Sequence, residues 1–288
     1  MCVPGCQEAL QAALSRRGFF KGAAAAGFAA TVIEPAEAAK KKSAKKAVPA
    51  AGTQAPEGQS YFKGVVDLTH TMSPDFPTFF GVPGIELQKQ FDFKKDGFNL
   101  NWWRIIEHAG THLDAPIHFS ESGDTVEKLA AETLVAPLAV IDVRARATQN
   151  PDYLVSRQDL ADWEKKHRRL PERCCVAMLS GWADYVGDAA KYTGASGGVF
   201  HFPGFGSDAA EWLLKERSAV GLAVDTLSLD NGPSKDFRVH RAWLPTGRWG
   251  LENVANLDKV PPSGATLVVG VAKVRNATGG PARLIALT

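Results

Sequence analysis

Residues 108–118 of the chain read HAGTHLDAPIH, and this stretch holds three of the seven histidines. Its alternate positions, counted from His108, are His, Gly, His, Asp, Pro and His, whereas most positions between them are apolar. A helix would turn Asp114 away from both His108 and His112, and the proline would interrupt its hydrogen bonds. A straight strand would separate His108 from Asp114 by about 20 Å. We therefore predict an extended segment that bends at Gly110 and gathers its polar side chains around one centre.

The polar residues of this segment are suitable metal ligands. Two neutral imidazoles, His108 and His112, and the carboxylate of Asp114 form a ligand set for Zn²⁺ or a similar divalent ion, with a position left open for water. Such an ion lowers the pKa of its bound water towards about 7 and polarises a carbonyl group. Asp114 is expected to ligate one ion or to bridge two. His118 lies beyond the cluster, so we expect it to transfer protons rather than to bind metal.

The remainder of residues 61–288 predicts a mixed α/β domain. Short apolar runs rich in β-branched residues, which are typical of buried strands, occur at 65–68, 138–143, 174–179, 219–224 and 266–271. A capping-box pattern at Ser156 predicts one helix, and Ser207 is expected to cap a second helix that runs through Arg217. Together these elements indicate a single domain with a mixed or barrel-like strand core and flanking helices, similar to swivelling β/β/α folds.

Two segments precede this domain. Residues 1–38 contain Arg16 and Arg17 before a short apolar stretch and an Ala-Glu-Ala sequence, a pattern typical of a twin-arginine signal peptide. The apolar stretch is too short for a stable membrane anchor, since a span needs about 20 residues. Residues 39–60 are rich in Lys, Ala and Pro and predict a flexible linker. The leader therefore predicts a periplasmic or secreted protein, exported by the twin-arginine route in a folded state.

The charge distribution argues against a nucleic-acid partner. The chain has 33 basic and 31 acidic residues, but five of the lysines fall in the linker, and residues 61–288 carry a net charge near −2. A basic surface is therefore not expected on the domain, and the predicted partner is a small molecule. The adjacent Cys174 and Cys175 are predicted to be buried thiols on opposite faces of a strand rather than a disulfide.

A dinucleotide site is the alternative interpretation of one glycine-rich stretch. Residues 204–209 match the permissive pattern G-x-G-x-x-A at the start of the second predicted helix, and Asp225 follows at about the distance of a ribose-binding acid. However, the sequence Phe-His-Phe-Pro stands before this stretch, where the fingerprint requires a buried strand. We therefore do not favour a dinucleotide cofactor.

The pattern H-x-G-T-H-x-D-x-P-x-H at 108–118 resembles the signature of the metal-dependent cyclase-family hydrolases, which include bacterial kynurenine formamidase and isatin hydrolase. The resemblance extends from about Val65 to the C-terminus. It implies that the first two histidines and the aspartate of the motif bind metal and that His118 acts as general acid/base. It also implies a later histidine and glutamate that hold a second ion shared with Asp114, and here His240 and Glu252 occupy the matching positions.

Weaker points of resemblance concern residues 200–205 and 221–230. The resemblance of 221–230 to a family strand suggests that Asp225 and Asp230 orient ligand histidines, and capping or turn roles are equally compatible. Within the aromatic stretch 200–205, His201 is expected to face the substrate. Trp102 and Trp103 precede the metal motif, and one of them is expected to form a wall of the substrate pocket.

The resemblance implies an enzyme, a metal-dependent hydrolase that cleaves an amide or lactam C–N bond in a small, aromatic substrate. The expected cofactor is Zn²⁺ or Mn²⁺, with one or two ions per subunit. Hydrolysis of a lactone or ester within the same fold, and an exported metal- or ligand-binding protein without turnover, are the alternatives. A homodimer or homotetramer is expected because members of the family commonly form such assemblies.

Overall fold

The computed structural model describes residues 62–288, so the predicted signal peptide (1–38) and linker (39–60) lie outside the described residues. The strands within 62–288 are β1 (Val65–Asp67), β2 (Ile85–Phe91), β3 (Leu100–Ile105), β4 (His112–Asp114), β5 (Val135–Asp142), β6 (Leu154–Val155), β7 (Cys175–Leu179), β8 (Gly204–Phe205), β9 (Gly221–Val224), β10 (Trp249–Glu252), β11 (Ala265–Val271) and β12 (Gly279–Leu287). The α-helices are α1 (Phe93–Asp96), α2 (Arg144–Gln149), α3 (Arg157–His167), α4 (Ala189–Thr193), α5 (Ser207–Glu216) and α6 (Arg238–Trp243). Short 3₁₀ turns lie at Pro116–Phe119, Val126–Lys128, Ala131–Thr133, Trp182–Tyr185, Leu244–Thr246 and Leu257–Lys259.

Seven strands close into a barrel-like sheet in the order β12-β11-β5-β7-β9-β10-β4, because β4 pairs with both β10 and β12. The neighbours β5, β7, β9 and β10 are parallel, and the other pairs are antiparallel. β1 pairs with the C-terminal part of β12, outside the ring. The predicted mixed α/β fold with a barrel-like strand core is thus confirmed.

Side chains of the ring alternate between two hydrophobic cores. On β7, Cys175 and Ala177 point into the barrel interior, whereas Val176 and Met178 pack outside it against Leu160 of α3 and Leu213 of α5. This alternation follows from the two-residue repeat of a strand. It also places Cys174 and Cys175 in different cores as buried free thiols, which confirms the prediction.

The five predicted strands correspond to β1, β5, β7, β9 and β11, and the predicted helix after Ser156 is α3. Its capping box is present, since the Ser156 side chain accepts from the Asp159 backbone N–H and the Asp159 side chain accepts from the Ser156 backbone N–H. The predicted cap of α5 was wrong. Gly206 is the N-cap, Ser207 is the first helical residue, and the helix ends at Glu216.

The glycine-rich stretch considered for a dinucleotide forms strand β8 and the start of α5. β8 pairs with β6 in a separate two-stranded sheet. A Cβ atom at Gly204 would lie 2.4 Å from the backbone nitrogen of Asn231, so this position requires glycine for close packing. The contact accounts for the glycine without a bound dinucleotide.

A separate antiparallel hairpin, β2 and β3, stands apart from the ring. Its residues are mostly exposed, including Leu87 of β2 and Trp103 of β3, which face each other across the pair. Among residues 62–288, we find no helix with the length and apolar character that a membrane span requires.

Candidate metal centre

The segment 108–118 bends as predicted. His108 lies in a turn before β4, Gly110 adopts a positive φ of 66°, and β4 then begins at His112. After β4 the chain enters the 3₁₀ turn Pro116–Phe119, which carries His118. The left-handed conformation at residue 110 strongly favours glycine, so this residue permits the bend.

The antiparallel pairing of β4 with β10 brings together residues that are distant in the sequence. His112 lies directly opposite Glu252, and Asp114 lies opposite Gly250. Residues that pair in this way project to the same face of a sheet, so the imidazole of His112 and the carboxylate of Glu252 meet. The intervening Leu113 and Leu251 point into the barrel interior. The candidate metal centre therefore lies on the outer face of the ring.

Helix α6 supplies His240 to the same centre. His240 Nε2 lies 3.1 Å from Glu252 Oε1 and 3.5 Å from Asp114 Oδ2. Its other ring nitrogen, Nδ1, lies 2.6 Å from Oδ2 of Asp230. Asp230 also accepts a hydrogen bond from the backbone N–H of Val239, so it fixes both the start of α6 and the imidazole ring.

Asp114 occupies the middle of the cluster. Its Oδ1 lies 2.6 Å from His108 Nδ1 and 3.3 Å from His112 Nε2, whereas its Oδ2 faces His240. His112, Asp114 and His240 are each at most 3% exposed. The structure thus places His108 and His112 beside one carboxylate oxygen of Asp114 and His240 beside the other.

Hydrogen bonds indicate which ring nitrogen each ligand candidate can offer. His112 Nδ1 donates to the carbonyl of Gly110 at 2.8 Å, which leaves Nε2 directed at Asp114. Thr278 donates its hydroxyl proton to Glu107 and therefore accepts from His108 Nε2 at 2.8 Å. The other ring nitrogen of His108, Nδ1, faces Asp114 Oδ1.

Two buried polar atoms show that the cluster suits a cation. Within residues 62–288, His112 Nε2 and Asp114 Oδ2 lack a hydrogen-bond partner. Leaving a buried polar atom unpaired costs about 1–3 kcal/mol. Imidazole nitrogens and carboxylate oxygens are ligands for Zn²⁺ and for several other divalent metals. The residues present therefore fit a divalent metal ion, and His108, His112, Asp114, His240 and Glu252 are the groups that would hold it.

The electrostatics of the centre also favour positive charge. Burial opposes the charged form of His112, but its interactions with Asp114 and Glu252 outweigh burial and raise the pKa to about 10. Burial likewise opposes the ionised form of Asp114, yet the hydrogen bond from His108 and the contacts with the other histidines hold its pKa well below the usual range. Without a metal the cluster attracts protons, and a divalent cation would compete for the same positions.

An apolar cavity of about 160 Å³ opens beside the centre. His118 borders it, and its ring stacks on His108 with the ring centroids 3.7 Å apart. The aromatic rings of Phe79, Phe119 and Phe237 form much of the apolar lining. Cavities of roughly 150 Å³ hold one benzene-sized molecule, so a single aromatic ring fits here.

The residues predicted to contact the substrate are not among those that line this cavity in the described chain. His201 does not line the cavity and pairs with Asp152, its Nδ1 lying 2.9 Å from Oδ2. Trp102 and Trp103 lie on β3 and are 37% and 67% exposed. Among residues 62–288, β3 pairs with β2 in a hairpin apart from the ring, and neither indole is among the residues that line the cavity.

The aromatic residues that do line the cavity were missed from the sequence. Phe119 follows His118 directly, and Phe237 stands three positions before His240, about one helical turn away. Proximity to the candidate catalytic and ligand histidines could have identified both. Phe79 lies in the loop after β1, and its sequence surroundings carry no comparable signal.

The two aspartates of residues 221–230 have different roles. Asp230 orients His240, as described above. The fully buried Asp225 instead accepts hydrogen bonds from the backbone N–H groups of Ser180, Gly181 and Trp182 and from the Ser180 hydroxyl. Burial raises the pKa of Asp225 to about 6. Asp225 therefore fixes the loop after β7 and makes no hydrogen bond to a ligand candidate.

This difference predicts opposite outcomes for two matched substitutions. We expect Asp230→Asn to lower metal affinity by about 10- to 100-fold, because partners that orient a ligand histidine have effects of that size. Asp225→Asn should lower the free energy of unfolding by about 1–3 kcal/mol, because its amide group would face backbone donors, and should leave metal affinity unchanged. Chelator competition and denaturant unfolding measure the two quantities. Equal metal affinities for the two variants would contradict the assigned roles.

A buried centre of imidazoles and carboxylates, with a further histidine at the mouth of an apolar cavity, is typical of a metal-dependent hydrolase. Comparison with known proteins agrees. Residues 66–231 match the family described as putative cyclase, and the chain belongs to this family. The resemblance found in the sequence is thereby confirmed.

The relatives include enzymes with assigned names. An isatin hydrolase from Roseibium aggregatum is 32% identical over 240 residues, which cover 77% of this chain and 91% of the relative. A kynurenine formamidase from Salinibacter ruber is 26% identical over 223 residues, which cover 77% and 96%. The solved structure of isatin hydrolase A from Ralstonia solanacearum superposes with a TM-score of 0.74 at 34% identity, covering 78% of this chain and 92% of that one.

Proposed function

We propose that this protein is a metal-dependent hydrolase that cleaves the amide or lactam C–N bond of a small aromatic substrate. The observation that carries the proposal is the convergence of His112, Asp114, His240 and Glu252 beside a cavity lined by aromatic rings. Relatives named isatin hydrolase and kynurenine formamidase support the same class of reaction.

The donor set supports Zn²⁺ or Mn²⁺, with one or two ions per subunit. Asp114 has His108 and His112 beside one oxygen and His240 beside the other, so it would help to hold one ion or two. When bound, a divalent cation supplies Lewis acidity, which polarises a carbonyl group and lowers the pKa of water.

The chain's own residues supply binding and proton transfer. The rings of Phe79, Phe119 and Phe237 pack against an aromatic substrate and exclude water. Burial lowers the pKa of His118 to about 4, so its imidazole is neutral at pH 7 and able to accept a proton from the water that attacks the carbonyl carbon. It then donates this proton to the leaving nitrogen, which needs protonation because an amide anion is a poor leaving group.

The test is hydrolysis of isatin, N-formyl aryl amides, aryl lactones and aryl esters by the purified protein. We expect turnover of at least one C–N substrate, loss of that turnover after treatment with a chelator, and recovery with Zn²⁺ or Mn²⁺. Turnover of esters and lactones alone would instead establish the alternative hydrolase. Tight binding of these compounds by metal-loaded protein without any product would indicate a binding protein and contradict the proposal.

We also propose export by the twin-arginine route to the periplasm or beyond, which is supported by Arg16 and Arg17 before the apolar stretch of residues 1–38. Cell fractionation that found the protein only in the cytoplasm would contradict it. A homodimer or homotetramer is proposed from the resemblance to the family, and sedimentation as a monomer would argue against that assembly.

A further inference from the structure

The carbonyl oxygen of Gly110 accepts two hydrogen bonds at the edge of the metal centre. One comes from His112 Nδ1 at 2.8 Å and the other from Asn253 Nδ2 at 2.9 Å. The first bond determines which ring nitrogen of His112 faces Asp114. The position of this carbonyl oxygen therefore controls how His112 presents Nε2, and Asn253 holds the same oxygen.

The orientation of the Asn253 amide is fixed in turn by Tyr192. The Tyr192 hydroxyl lies 2.8 Å from Asn253 Oδ1 and 3.4 Å from the carbonyl oxygen of Asp225. The Gly110 carbonyl can only accept, so the amide nitrogen of Asn253 faces it and Oδ1 faces Tyr192. Because Oδ1 can also only accept, the Tyr192 hydroxyl donates its proton to it. With Oδ1 accepting from Tyr192, the amide nitrogen of Asn253 faces Gly110 and donates to it. The hydrogen bonds thus run in one direction from Tyr192 to the carbonyl that holds His112.

Asn253 also holds the neighbouring residue of the bend. Its backbone carbonyl accepts from the hydroxyl of Thr111 at 2.6 Å, and its backbone N–H donates to the carbonyl of Thr226 at 2.9 Å. Asn253 adopts a positive φ of 54°, a conformation in which asparagine is enriched among residues other than glycine. Both Asn253 and Tyr192 are at most 2% exposed, so water does not readily replace these bonds.

We infer that Asn253 and Tyr192 are positioning residues that fix the ring of His112 for metal binding. The inference rests on the proposed function, because it requires His112 to be a metal ligand. Neither side chain is among the proposed ligands. Asn253 fixes the Gly110 carbonyl, and Tyr192 fixes the amide of Asn253. Loss of either would let the His112 ring rotate away from the orientation in which Nε2 faces Asp114.

The experiment measures Zn²⁺ affinity of the full chain by competition with a chromogenic chelator. We expect Tyr192→Phe to weaken Zn²⁺ binding by about tenfold and Asn253→Gly by about 10- to 100-fold. Glycine at 253 retains the positive φ and the backbone bond from Thr111, so this second variant tests the amide without straining the bend. The absorption spectrum of the Co²⁺-substituted variants should also change, since a rotated imidazole alters the ligand geometry.

Tyr153→Phe is the matched control. Its hydroxyl donates to Asp159 at the start of α3, so this variant also loses a tyrosine hydrogen bond, but outside the metal centre. We expect its Zn²⁺ affinity to equal that of the wild-type chain, even if its thermal unfolding midpoint falls as far as that of Tyr192→Phe. Wild-type Zn²⁺ affinity in both Tyr192→Phe and Asn253→Gly would overturn this inference but not the proposed function. Failure of the wild-type chain to bind Zn²⁺, Mn²⁺ or Co²⁺ would overturn the proposed function as well.

Discussion

Asp114→Asn is expected to abolish hydrolysis and to weaken metal binding by more than about 100-fold. Substitution of groups that merely orient ligands costs about 10- to 100-fold, and Asp114 contacts three candidate ligand histidines directly. Asparagine keeps the shape of the side chain but removes the negative charge and places an amide N–H₂ group where an acceptor is required. Metal content by elemental analysis and turnover of the best C–N substrate are the measurements.

Asp142→Asn is the control for this substitution. Asp142 lies at the end of β5, is about half exposed, and pairs with Arg144 away from the metal centre. We expect both metal content and turnover of this control to match the wild-type chain. An Asp114→Asn protein that retained a full complement of metal and wild-type turnover would show that the centre described here is not the catalytic one.

His118→Phe is expected to lower kcat by about 10²- to 10⁴-fold, the usual contribution of a general acid/base, while metal affinity stays close to that of the wild-type chain. Phenylalanine retains a ring that can stack on His108, so the substitution removes the proton-carrying group with little loss of packing. Steady-state kinetics and chelator competition measure the two effects. The loss should be smaller for an ester than for an amide, because an alcohol leaving group demands less protonation.

The pH profile gives an independent check on this assignment. A base must be neutral to accept a proton, and burial lowers the pKa of His118 to about 4. Activity that depends on His118 is therefore present above this pKa and lost as the pH falls through it.

His167→Phe is a suitable control for the His118→Phe substitution, since His167 packs against Trp163 on α3 and does not border the cavity. A His118→Phe enzyme with unchanged kcat would refute the catalytic role.

The sequence predicted those parts of the molecule that depend on neighbouring residues. The bend at Gly110, the strand β7 and the capped helix α3 all follow from local composition and spacing. The pairing of β4 with β10 could not be derived from the chain alone, because Glu252 and His112 meet only through tertiary structure. The resemblance to the family supplied Glu252 and His240 as candidates, and the structure shows how the ladder and α6 bring them together.

The residues predicted to contact the substrate lie away from the cavity of the single chain. One of Trp102 and Trp103 was expected to form a wall of the pocket, and both lie on an exposed hairpin of the single chain. His201 was expected at the substrate and instead pairs with Asp152. Sequence position does not specify which loop covers a cavity. The strand β12 was also missed, since its initial Gly-Gly-Pro is typical of a turn rather than of a strand.

The closing strand β4 has only three residues, and its two neighbours, β10 and β12, lie far downstream in the sequence. Thr278, immediately before β12, also holds His108. Such long-range contacts form late, since a large loop must be ordered before they contribute. The ring around the candidate metal centre therefore closes only after β12 has been synthesised, although the last candidate ligand, Glu252, precedes it in the chain.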